Sequence, residues 1–384
     1  MRLCFRLLAK QLERAVGNET KERRALKIAI IGTPNVGKSA LTNKLIKADV
    51  CAVSKLIDTT RQNMTTSLSE DEFQLIVVDS PGLIGLKHAK EVINTHTESK
   101  ILLDPEAALN KAEHVIVVDD VTSPGEYIHH RVLHLLHRNP HITSSLVMNK
   151  CDLVKQRSDL LRRGHILTCG KIGGKSITTE QPRLGKLGKL TQAEPKTFAL
   201  NSMENRLDEK DPKWVEAYNR VINKPTHKCS WGETKQVFRS EPGWPHFSGL
   251  FFVSAKTGDG IDELRSHLKS LSVPVGKWKF GPNLKTTKKR FFIVAEHIRS
   301  ALLNSVPSDI AYKLVIKIVH FEVDEEEIRI IADVICEKER WGKMVSAALE
   351  EQVPRLEDKF KKLFGLDVLL EVVARFEGKP IVVE

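Results

Sequence analysis

The sequence predicts an α/β domain, in which a parallel sheet is flanked by helices, followed by a smaller α+β domain. Three observations predict this order. Short apolar runs rich in β-branched residues alternate with helical stretches over 26–271, which is typical of a parallel sheet wrapped by helices. A segment rich in Pro, Gly and Lys then interrupts the pattern at 272–286 and predicts a linker. Beyond it, helical and strand periods alternate over 287–384.

The composition limits the class of protein. A chain of 384 residues is long enough for two or three domains, each with its own core. Hydrophobic residues at 41% and charged residues at 28% argue against wholesale disorder and against a membrane-embedded protein, and no apolar run approaches the roughly 18 residues of a membrane span. Sixty Lys and Arg against 49 Asp and Glu give a formal charge of +11, which favours a polyanionic partner such as nucleic acid or an anionic membrane surface.

The first domain is predicted to contain five buried strands and a basic insertion. Between Lys155 and Glu241 the strand and helix rhythm fails, and the chain becomes rich in Gly, Lys and Thr. We therefore predict an insertion at 155–241 that is largely a flexible loop, either a mobile basic arm for RNA or a merely solvated loop. The predicted strands are KIAII (27–31), FQLIVVD (73–79), HVIVVD (114–119), SSLVMN (144–149) and GLFFVSA (249–255).

The second domain is predicted to follow the order α, β, β, α, β. A helix over 290–306 ends before Pro307. Two strands, AYKLVIKIVHFEV and EIRIIADVIC, are joined by the acidic turn DEEE. The stretch SAALEEQVPRLEDKFKKLF predicts a helix, and a last strand is expected at 366–376.

Residues 1–25 form a basic N-terminal segment. Its first fifteen residues place Arg2, Arg6, Lys10 and Arg14 among large apolar side chains, with Glu13 as the single acid. This pattern resembles a mitochondrial transit peptide, and an ordinary amphipathic leading helix is the alternative. The first interpretation predicts a mitochondrial protein, in the matrix or associated with the inner membrane, and the second leaves a cytoplasmic one.

The segment GTPNVGKS matches G-x-x-x-x-G-K-[ST] and lies between a predicted strand and a helix that begins near Lys38. Gly32 and Gly37 allow the backbone to turn so that consecutive N–H groups face a phosphate, and the helix N-terminus adds a partial positive charge. Lys38 is predicted to reach the β- and γ-phosphate oxygens, and Ser39 to hold Mg²⁺. The predicted contacts of this phosphate-binding loop are Gly32, Thr33, Pro34, Asn35, Val36, Gly37, Lys38, Ser39 and Ala40.

Two further segments are placed to sense the γ-phosphate. The motif DSPG ends the second predicted strand, so that Asp79 can orient a water on Mg²⁺ while the Gly82 amide hydrogen-bonds the γ-phosphate. Within SKLIDTTRQN, Thr60, or else Thr59, is predicted to complete the Mg²⁺ shell. The predicted catalytic residues are Lys38, Thr60 and Gly82, and the predicted metal site consists of Ser39, Thr60 and, through a water, Asp79.

Two motifs are predicted to recognise the base. NKCD ends a later strand, and the carboxylate of Asp152 can accept the N1 and N2 hydrogens of guanine, which adenine does not supply. A carboxylate left unpaired is costly, so we expect GTP to be preferred over ATP by ~10³ or more. The motif SAK closes the far side of the base through the Ala255 amide. The predicted base contacts are Asn149, Lys150, Asp152, Ser254, Ala255 and Lys256.

These motifs, GTPNVGKS, TTR, DSPGL, NKCD and SAK, followed by a basic α+β domain, resemble those of the Era family, ribosome-assembly GTPases that join a Ras-like P-loop G domain to a C-terminal KH domain. The phrase GWPHF and the long insertion before it look most similar to the animal mitochondrial Era-like proteins. The resemblance implies GTP or GDP with Mg²⁺ as ligands, K⁺ at Asn35, and binding to small-subunit ribosomal RNA and the pre-ribosomal small subunit.

The sequence departs from the family pattern in two places. Position 83 is Leu rather than Gln, so the side chain that orients the attacking water in Ras-type enzymes is absent and hydrolysis is expected to be slow. A KH module clamps nucleotides on a G-x-x-G loop, but the stretch EKERWGKMVS after Cys336 has only Gly342. Either charge and stacking replace the clamp, which we favour because the linker and the insertion are basic, or the domain has kept the fold and lost high-affinity RNA binding; Trp341 can also be a simple core or surface aromatic. The candidate RNA-binding residues are Lys288, Lys289, Arg290, Lys338, Arg340, Trp341 and Lys343.

Some alternatives stay open from the residues alone. Five histidines crowd one predicted helix, and we expect them to face solvent rather than hold a metal, because no carboxylate or thiol nearby completes a site; they are His129, His130, His134, His137 and His141. Leu83 leaves room for an RNA-binding assembly chaperone in which the nucleotide is structural. A membrane-associated GTPase with a peripheral membrane contact is a further alternative.

Overall fold

The computed structural model describes residues 22–54, 63–83, 105–177, 190–191 and 211–381. In the first domain the strands are β1 (Arg24–Ile31), β2 (Met64–Glu70), β3 (Phe73–Asp79), β4 (His114–Asp120), β5 (Thr143–Asn149), β6 (Lys171–Ile172), β7 (Lys175–Ser176), β8 (Leu190–Thr191), β9 (Phe247–Phe252) and β10 (Val273–Pro274). The helices are α1 (Lys38–Ile46), α2 (His130–Arg138), α3 (Arg157–Leu167), α4 (Pro212–Ile222), α5 (Trp231–Phe238) and α6 (Ile261–Leu271).

The central sheet has the order β2-β3-β1-β4-β5-β9-β8, and β3, β1, β4, β5 and β9 are parallel. All five predicted strands are therefore confirmed. The sequence analysis did not predict β2, which pairs antiparallel with β3, because its sequence MTTSLSE is too polar to stand out as an apolar run. The carboxyl ends of β1, β3, β5 and β9 meet at one edge of the sheet, where open α/β sheets bind ligands.

Residues on both faces of the sheet are buried, as expected for a parallel sheet covered by helices. On one face α1 and α6 pack through fully buried side chains such as Leu41 and Leu264. On the other face α2 and α5 contribute Leu133 and Phe238 to a second cluster. The sheet is thus held rigidly between two apolar layers, and the loops at its edge are positioned by that scaffold.

The prediction that the insertion is largely a flexible loop is wrong for its described parts. Residues 157–177 form α3 and the β6–β7 hairpin, and 211–241 contain α4 and α5. Phe238 of α5 is fully buried, and Tyr218 of α4 is 6% exposed in the same core. The helices were missed because their apolar residues are few and separated by charges. Residues 178–189 and 192–210 lie outside the described part of the chain, so the two alternatives for a basic arm stay open there.

The histidine-rich helix α2 also differs from expectation. His130, His134 and His137 are buried rather than exposed to solvent. Nε2 of His134 lies 2.9 Å from the Val221 carbonyl oxygen, and Nδ1 of His137 lies 3.1 Å from the Tyr218 hydroxyl. Burial lowers the pKa of His134 to about 4, so this ring is neutral at pH 7. His134 and His137 therefore pack α2 against the insertion. No group of three metal-ligating side chains occurs among the described residues.

The second domain has the predicted order of its main elements. The strands form a sheet in the order β11-β12-β13-β14, with β11 and β12 antiparallel and β12 and β13 parallel. One face is covered by two helices, whose core includes Ile298 and Phe360. The elements are α7 (Arg290–Ser305), α8 (Ser308–Ala311), β11 (Val315–Val323), β12 (Glu327–Ile335), α9 (Glu339–Phe364), β13 (Asp367–Phe376) and β14 (Lys379–Pro380).

The linker and α7 contact the first domain directly. The Ser67 amide in β2 donates to the Lys285 carbonyl oxygen at 2.9 Å, so the linker lies along the edge of the sheet. Nε2 of His297 in α7 lies 3.3 Å from the Val50 carbonyl oxygen. The Ser300 hydroxyl donates to the carbonyl oxygen of Val53 at 2.5 Å. Helix α7 therefore holds the backbone of the first domain just after α1.

Within the described ranges, no helix is both long enough and apolar enough to cross a membrane.

Candidate nucleotide-binding site

The predicted phosphate-binding loop connects β1 to α1, as its sequence requires. Gly37 is the N-cap of α1 with φ 94°, and no side chain caps the helix. The first turn of α1 also contains no acidic residue. Its N–H groups and the positive end of its dipole therefore remain available to a phosphate group.

Close packing requires two glycines of the site, one in the phosphate-binding loop and one in the segment after β3. A Cβ on Gly37 would lie 2.3 Å from Nδ2 of Asn149, in addition to the strain of its positive φ. A Cβ on Gly82 would lie 2.8 Å from Cα of Pro34. The segment that contains Gly82, which is predicted to sense the γ-phosphate, thus lies against the phosphate-binding loop.

Lys38 is 7% exposed and lies over its own loop. Its Nζ donates to the Thr33 carbonyl oxygen at 2.9 Å. The ammonium group therefore lies over the loop that is predicted to bind the phosphates. Asn35, at the tip of the loop, has a left-handed backbone with φ 62°, a conformation that asparagine tolerates better than most residues.

Ser39 and Asp79, which are predicted to bind Mg²⁺, lie in direct contact. The Ser39 hydroxyl donates to Oδ2 of Asp79 at 2.7 Å. Oδ1 of Asp79 is buried and has no hydrogen-bond partner among the described residues. Burial raises the pKa of Asp79 to about 6, against the opposing effects of Ser39 and Lys38. A buried carboxylate oxygen without a donor beside a serine hydroxyl is the environment that Mg²⁺ prefers, so these residues fit the predicted metal.

The segment after β3 is described only as far as Leu83. The backbone N–H of Leu83 donates to the Gly32 carbonyl oxygen at 3.1 Å, and the Leu83 side chain is 7% exposed in the core. The side chain at this position is thus directed into the domain and offers no polar group to an attacking water. Thr60 and the alternative Thr59 lie outside the described residues, so their metal-binding role stays a prediction.

Asn149 joins the phosphate-binding loop to the base-recognition loop. Its Nδ2 donates to the Val36 carbonyl oxygen at 2.7 Å, while its Oδ1 accepts from the Ala255 amide at 2.9 Å. Asn149 is 2% exposed. Both hydrogen bonds are therefore made away from water, where leaving either partner unsatisfied is costly. We predicted a base contact for Asn149; in the structure its amide links two loops of the site.

Asp152 lies at the end of the same motif and faces the SAK loop. Its Oδ1 accepts from the Ser254 hydroxyl at 2.7 Å, which fixes the carboxylate at the edge of the predicted base pocket. Lys150 has a positive φ of 67° and its Nζ lies 2.5 Å from Oδ2 of Asp120. Lys256 is exposed. Sequence reasoning missed Asp120, although its position at the carboxyl end of β4 placed it at the binding edge.

Asn149→Ala is expected to lower the free energy of unfolding by about 2 to 4 kcal/mol, because the Val36 carbonyl and the Ala255 amide both lose a buried partner. Urea unfolding followed by tryptophan fluorescence measures this loss. Asn223→Ala is the matched control, since its amide bonds a helix carbonyl at an exposed position. Equal stability of the two variants would contradict the linking role.

The candidate RNA-binding residues are divided by the structure. Lys338, Arg340 and Lys343 are exposed at the start of α9. Trp341, by contrast, is 6% exposed and belongs to the core of the second domain, so the predicted stacking of RNA on this ring is wrong. The other candidates, Lys289 and Arg290, are exposed at the start of α7, and Lys288 beside them is half-buried.

The expected nucleotide-clamping loop is also absent from this junction. Helix α9 begins at Glu339, three residues after Cys336, so most of EKERWGKMVS is helical rather than a loop. Gly342 is buried, and a Cβ there would lie 1.9 Å from Cδ1 of Ile381. This glycine is therefore needed for close packing of α9 against the end of the chain, and not for a phosphate contact.

The sequence is similar to known GTPases along most of its length. Residues 27–150 match the family model described as 50S ribosome-binding GTPase. The chain is 40% identical over 367 residues to the mitochondrial GTPase Era of Caenorhabditis elegans, covering 93% of this chain and 91% of that protein. It is 30% identical to the mitochondrial GTPase Era of Salmo salar, covering 88% of this chain and 72% of that protein.

Two solved structures share the fold of both domains. A crystal structure of Era in complex with MgGDPNP and nucleotides 1506–1542 of 16S ribosomal RNA matches with a TM-score of 0.62 and 17% identity over 92% of this chain and 94% of that one. An Aquifex aeolicus Era variant bound to GDP·AlF4⁻ matches with a TM-score of 0.61 and 17% identity over the same shares. At this identity the likeness concerns the fold.

Proposed function

Since this chain belongs to the Era family of GTPases, we propose that it is a slow GTP-controlled switch that binds small-subunit ribosomal RNA and assists assembly of the mitochondrial small ribosomal subunit. Its enzymatic activity is that of the family, the hydrolysis of GTP to GDP and phosphate. The family does not by itself fix how the nucleotide controls RNA binding in this chain.

One observation carries the proposed control. Helix α7 of the second domain bonds to the backbone at Val50 and Val53 through His297 and Ser300. Val50 and Val53 immediately precede the segment that is predicted to place Thr60 on Mg²⁺. Since the γ-phosphate orders such segments in GTPases and hydrolysis releases them, the nucleotide state can be transmitted to α7 and to the domain that it supports.

Four further points support the proposed RNA binding and the proposed mitochondrial localisation. Exposed lysine and arginine side chains at the start of α9 offer contacts to phosphates. The related Era structure contains 16S ribosomal RNA together with MgGDPNP. The most similar relatives described above are mitochondrial proteins. The predicted transit segment at 1–25 agrees with mitochondrial localisation, although residues 1–21 lie outside the described part.

The nucleotide is proposed to bind as its Mg²⁺ complex, with Ser39, Thr60 and a water on Asp79 around the metal and K⁺ beside Asn35. The ion would neutralise charge on the phosphates during transfer. Leu83 supplies no water-orienting group, so we propose an intrinsic rate of about 10⁻⁴ to 10⁻² s⁻¹, as for unassisted GTPases. A partner, such as the RNA itself, then sets the lifetime of the GTP state.

Multiple-turnover phosphate release, with and without mitochondrial small-subunit RNA, tests this function. We expect slow release that RNA accelerates. Release that stays negligible in both cases would instead favour an assembly chaperone with a structural nucleotide. Crosslinking the protein to RNA in cells and sequencing the attached fragments identifies the site, and flotation with anionic liposomes at matched salt tests a peripheral membrane contact. Membrane binding without recovered ribosomal RNA would overturn the proposal.

A further inference from the structure

An open groove of about 940 Å³ lies between the two domains, and we call it the interdomain groove. One wall is formed by residues 43–50 at the end of α1, and the opposite wall by residues 359–364 at the end of α9. Between them lie the linker residues 283–286 and the start of α7. The groove thus exists only because the two domains pack against each other.

The lining of the groove is strongly basic. Eight lysine or arginine side chains face it, against the single carboxylate of Asp49. They come from both domains and from the linker, as Lys44, Lys285 and Lys362 illustrate. Burial lowers the pKa of Lys359, and the opposing attraction of Asp49 is the smaller effect. Lys47 pairs with Glu70 outside the lining. The lining itself still contains many more cations than carboxylates, so its net positive charge favours an anionic ligand.

The groove also contains an aromatic ring. Phe364 is half-buried in its lining, and the guanidinium carbon of Arg290 lies 5.6 Å from the ring centroid. Phe360 stacks behind this ring, with the two centroids 5.8 Å apart, and fixes its orientation. A held aromatic ring beside several cations is the combination with which proteins bind single-stranded nucleic acid, because bases stack on the ring while the cations follow the phosphates.

We propose that the interdomain groove binds the backbone of a single-stranded RNA segment, with one base stacked on Phe364. This inference rests on the proposed function, since it assigns a second RNA site to the same protein. The groove is distinct from the exposed cations at the start of α9. Lys343 and Lys362 are nineteen residues apart on one helix, which corresponds to roughly 28 Å.

The shape of the site favours a strand over a membrane surface. A bilayer is flat and contacts only side chains that protrude from a protein. Lys359 is half-buried, and the groove is lined by residues of both domains, so a flat surface would not reach its interior. A flexible single strand can enter such a groove. RNA bound there touches both domains at once, so it stabilises the arrangement in which α7 holds residues 50–53.

The test compares three variants of the full chain that each replace three cations by glutamine. The groove variant is Lys285→Gln, Lys359→Gln and Lys362→Gln. The α9 variant is Lys338→Gln, Arg340→Gln and Lys343→Gln. The control variant is Lys111→Gln, Lys269→Gln and Lys317→Gln, which removes the same charge from exposed positions outside both the groove and the 155–241 insertion. Affinity for a fluorescent 20-nucleotide single-stranded RNA of mixed sequence is measured over a series of KCl concentrations.

We expect the groove variant to lose about tenfold or more in affinity, and the slope of log K against log salt to fall by about 2, since each phosphate contact on a single strand contributes ~0.7. The control variant is expected to lose much less. Phe364→Leu keeps the charge and removes the ring, and we expect about a fivefold loss or more with an unchanged salt slope. Photocrosslinking of 4-thiouridine RNA to the wild-type chain should label a peptide of the groove. Because this experiment needs no variant, it tests the site even if a variant folds poorly.

Each of the other possible outcomes contradicts either the groove site alone or the proposed function as well. Groove and control variants that bind equally, with no groove crosslink, overturn the groove site and leave the proposed function intact. A wild-type chain that binds no RNA overturns the proposed function and the groove site together. A groove variant that keeps RNA affinity but loses binding to vesicles of phosphatidylcholine with phosphatidylserine overturns the inference in favour of a lipid surface.

Discussion

Asp152→Asn is expected to lower the affinity for GTP by about 10³-fold and to make xanthosine triphosphate the better ligand. The Asp152 carboxylate is predicted to accept the N1 and N2 hydrogens of guanine, whereas an amide in its place presents a donor where guanine also presents donors. Xanthine carries a carbonyl at C2, which an amide N–H can reach. The structure supports this geometry, because the Ser254 hydroxyl already orients the Asp152 carboxylate.

Equilibrium titration with fluorescent GTP and with the xanthosine analogue measures the change. Asp159→Asn is the matched control, since it makes the same substitution at an exposed position on α3. We expect the control to bind GTP as the wild type does. Unaltered GTP affinity in Asp152→Asn would show that this residue does not recognise the base. Guanine specificity would then have to come from backbone groups.

Lys38→Ala is expected to weaken GTP binding by at least ~100-fold while the fold is kept. The ammonium group is buried over the loop and makes a hydrogen bond of 2.9 Å to the Thr33 carbonyl oxygen. Its charge-assisted bonds to the β- and γ-phosphates would each contribute about 1.5 to 3 kcal/mol. GDP binding should fall less, because the γ-phosphate contact is lost only for the triphosphate.

Calorimetric titration with Mg²⁺-GTP and Mg²⁺-GDP separates these effects, and circular dichroism checks that both domains remain folded. Lys317→Ala is the control, because Lys317 is exposed on β11 of the second domain and lies far along the chain from the site motifs. Triphosphate binding that survives Lys38→Ala at wild-type strength would show that the loop between β1 and α1 is not the phosphate cradle.

The fold of the first domain could be predicted because its strands are uniformly apolar. β3 is buried along its whole length, and such an apolar run can be recognised as a strand without knowing which strands lie beside it. The site was predictable for a related reason, since its motifs lie at the carboxyl ends of those strands and the topology brings them to one edge.

The remainder depended on contacts that a linear pattern does not contain. Asn149 is predicted to contact the base, and the sequence does not show that its amide also joins Val36 to Ala255, which are 219 residues apart along the chain. The histidines of α2 are polar by composition, but they become buried because Tyr218 and Val221 of the insertion supply their hydrogen-bond partners. Tertiary partners thus reversed a prediction that residue type alone made reasonable.

The second domain shows the same limit. Trp341 was expected to stack on RNA because basic residues surround it in the sequence. In the fold it lies in the core, with Nζ of Lys313 and Nζ of Lys338 at 5.7 Å and 5.5 Å from its centroid. The interdomain groove could not be predicted either, because its walls come from segments about 240 to 320 residues apart.

In the mechanism that we propose, the bound nucleotide sets the affinity for RNA through the contact between α7 and the backbone at Val50 and Val53. The most direct test is the affinity of the full chain for mitochondrial small-subunit RNA, measured once with saturating Mg²⁺-GDPNP and once with saturating Mg²⁺-GDP. We predict at least about fivefold tighter binding in the triphosphate state, the lower end of ordinary coupling between sites. Equal affinity in the two states would contradict the account.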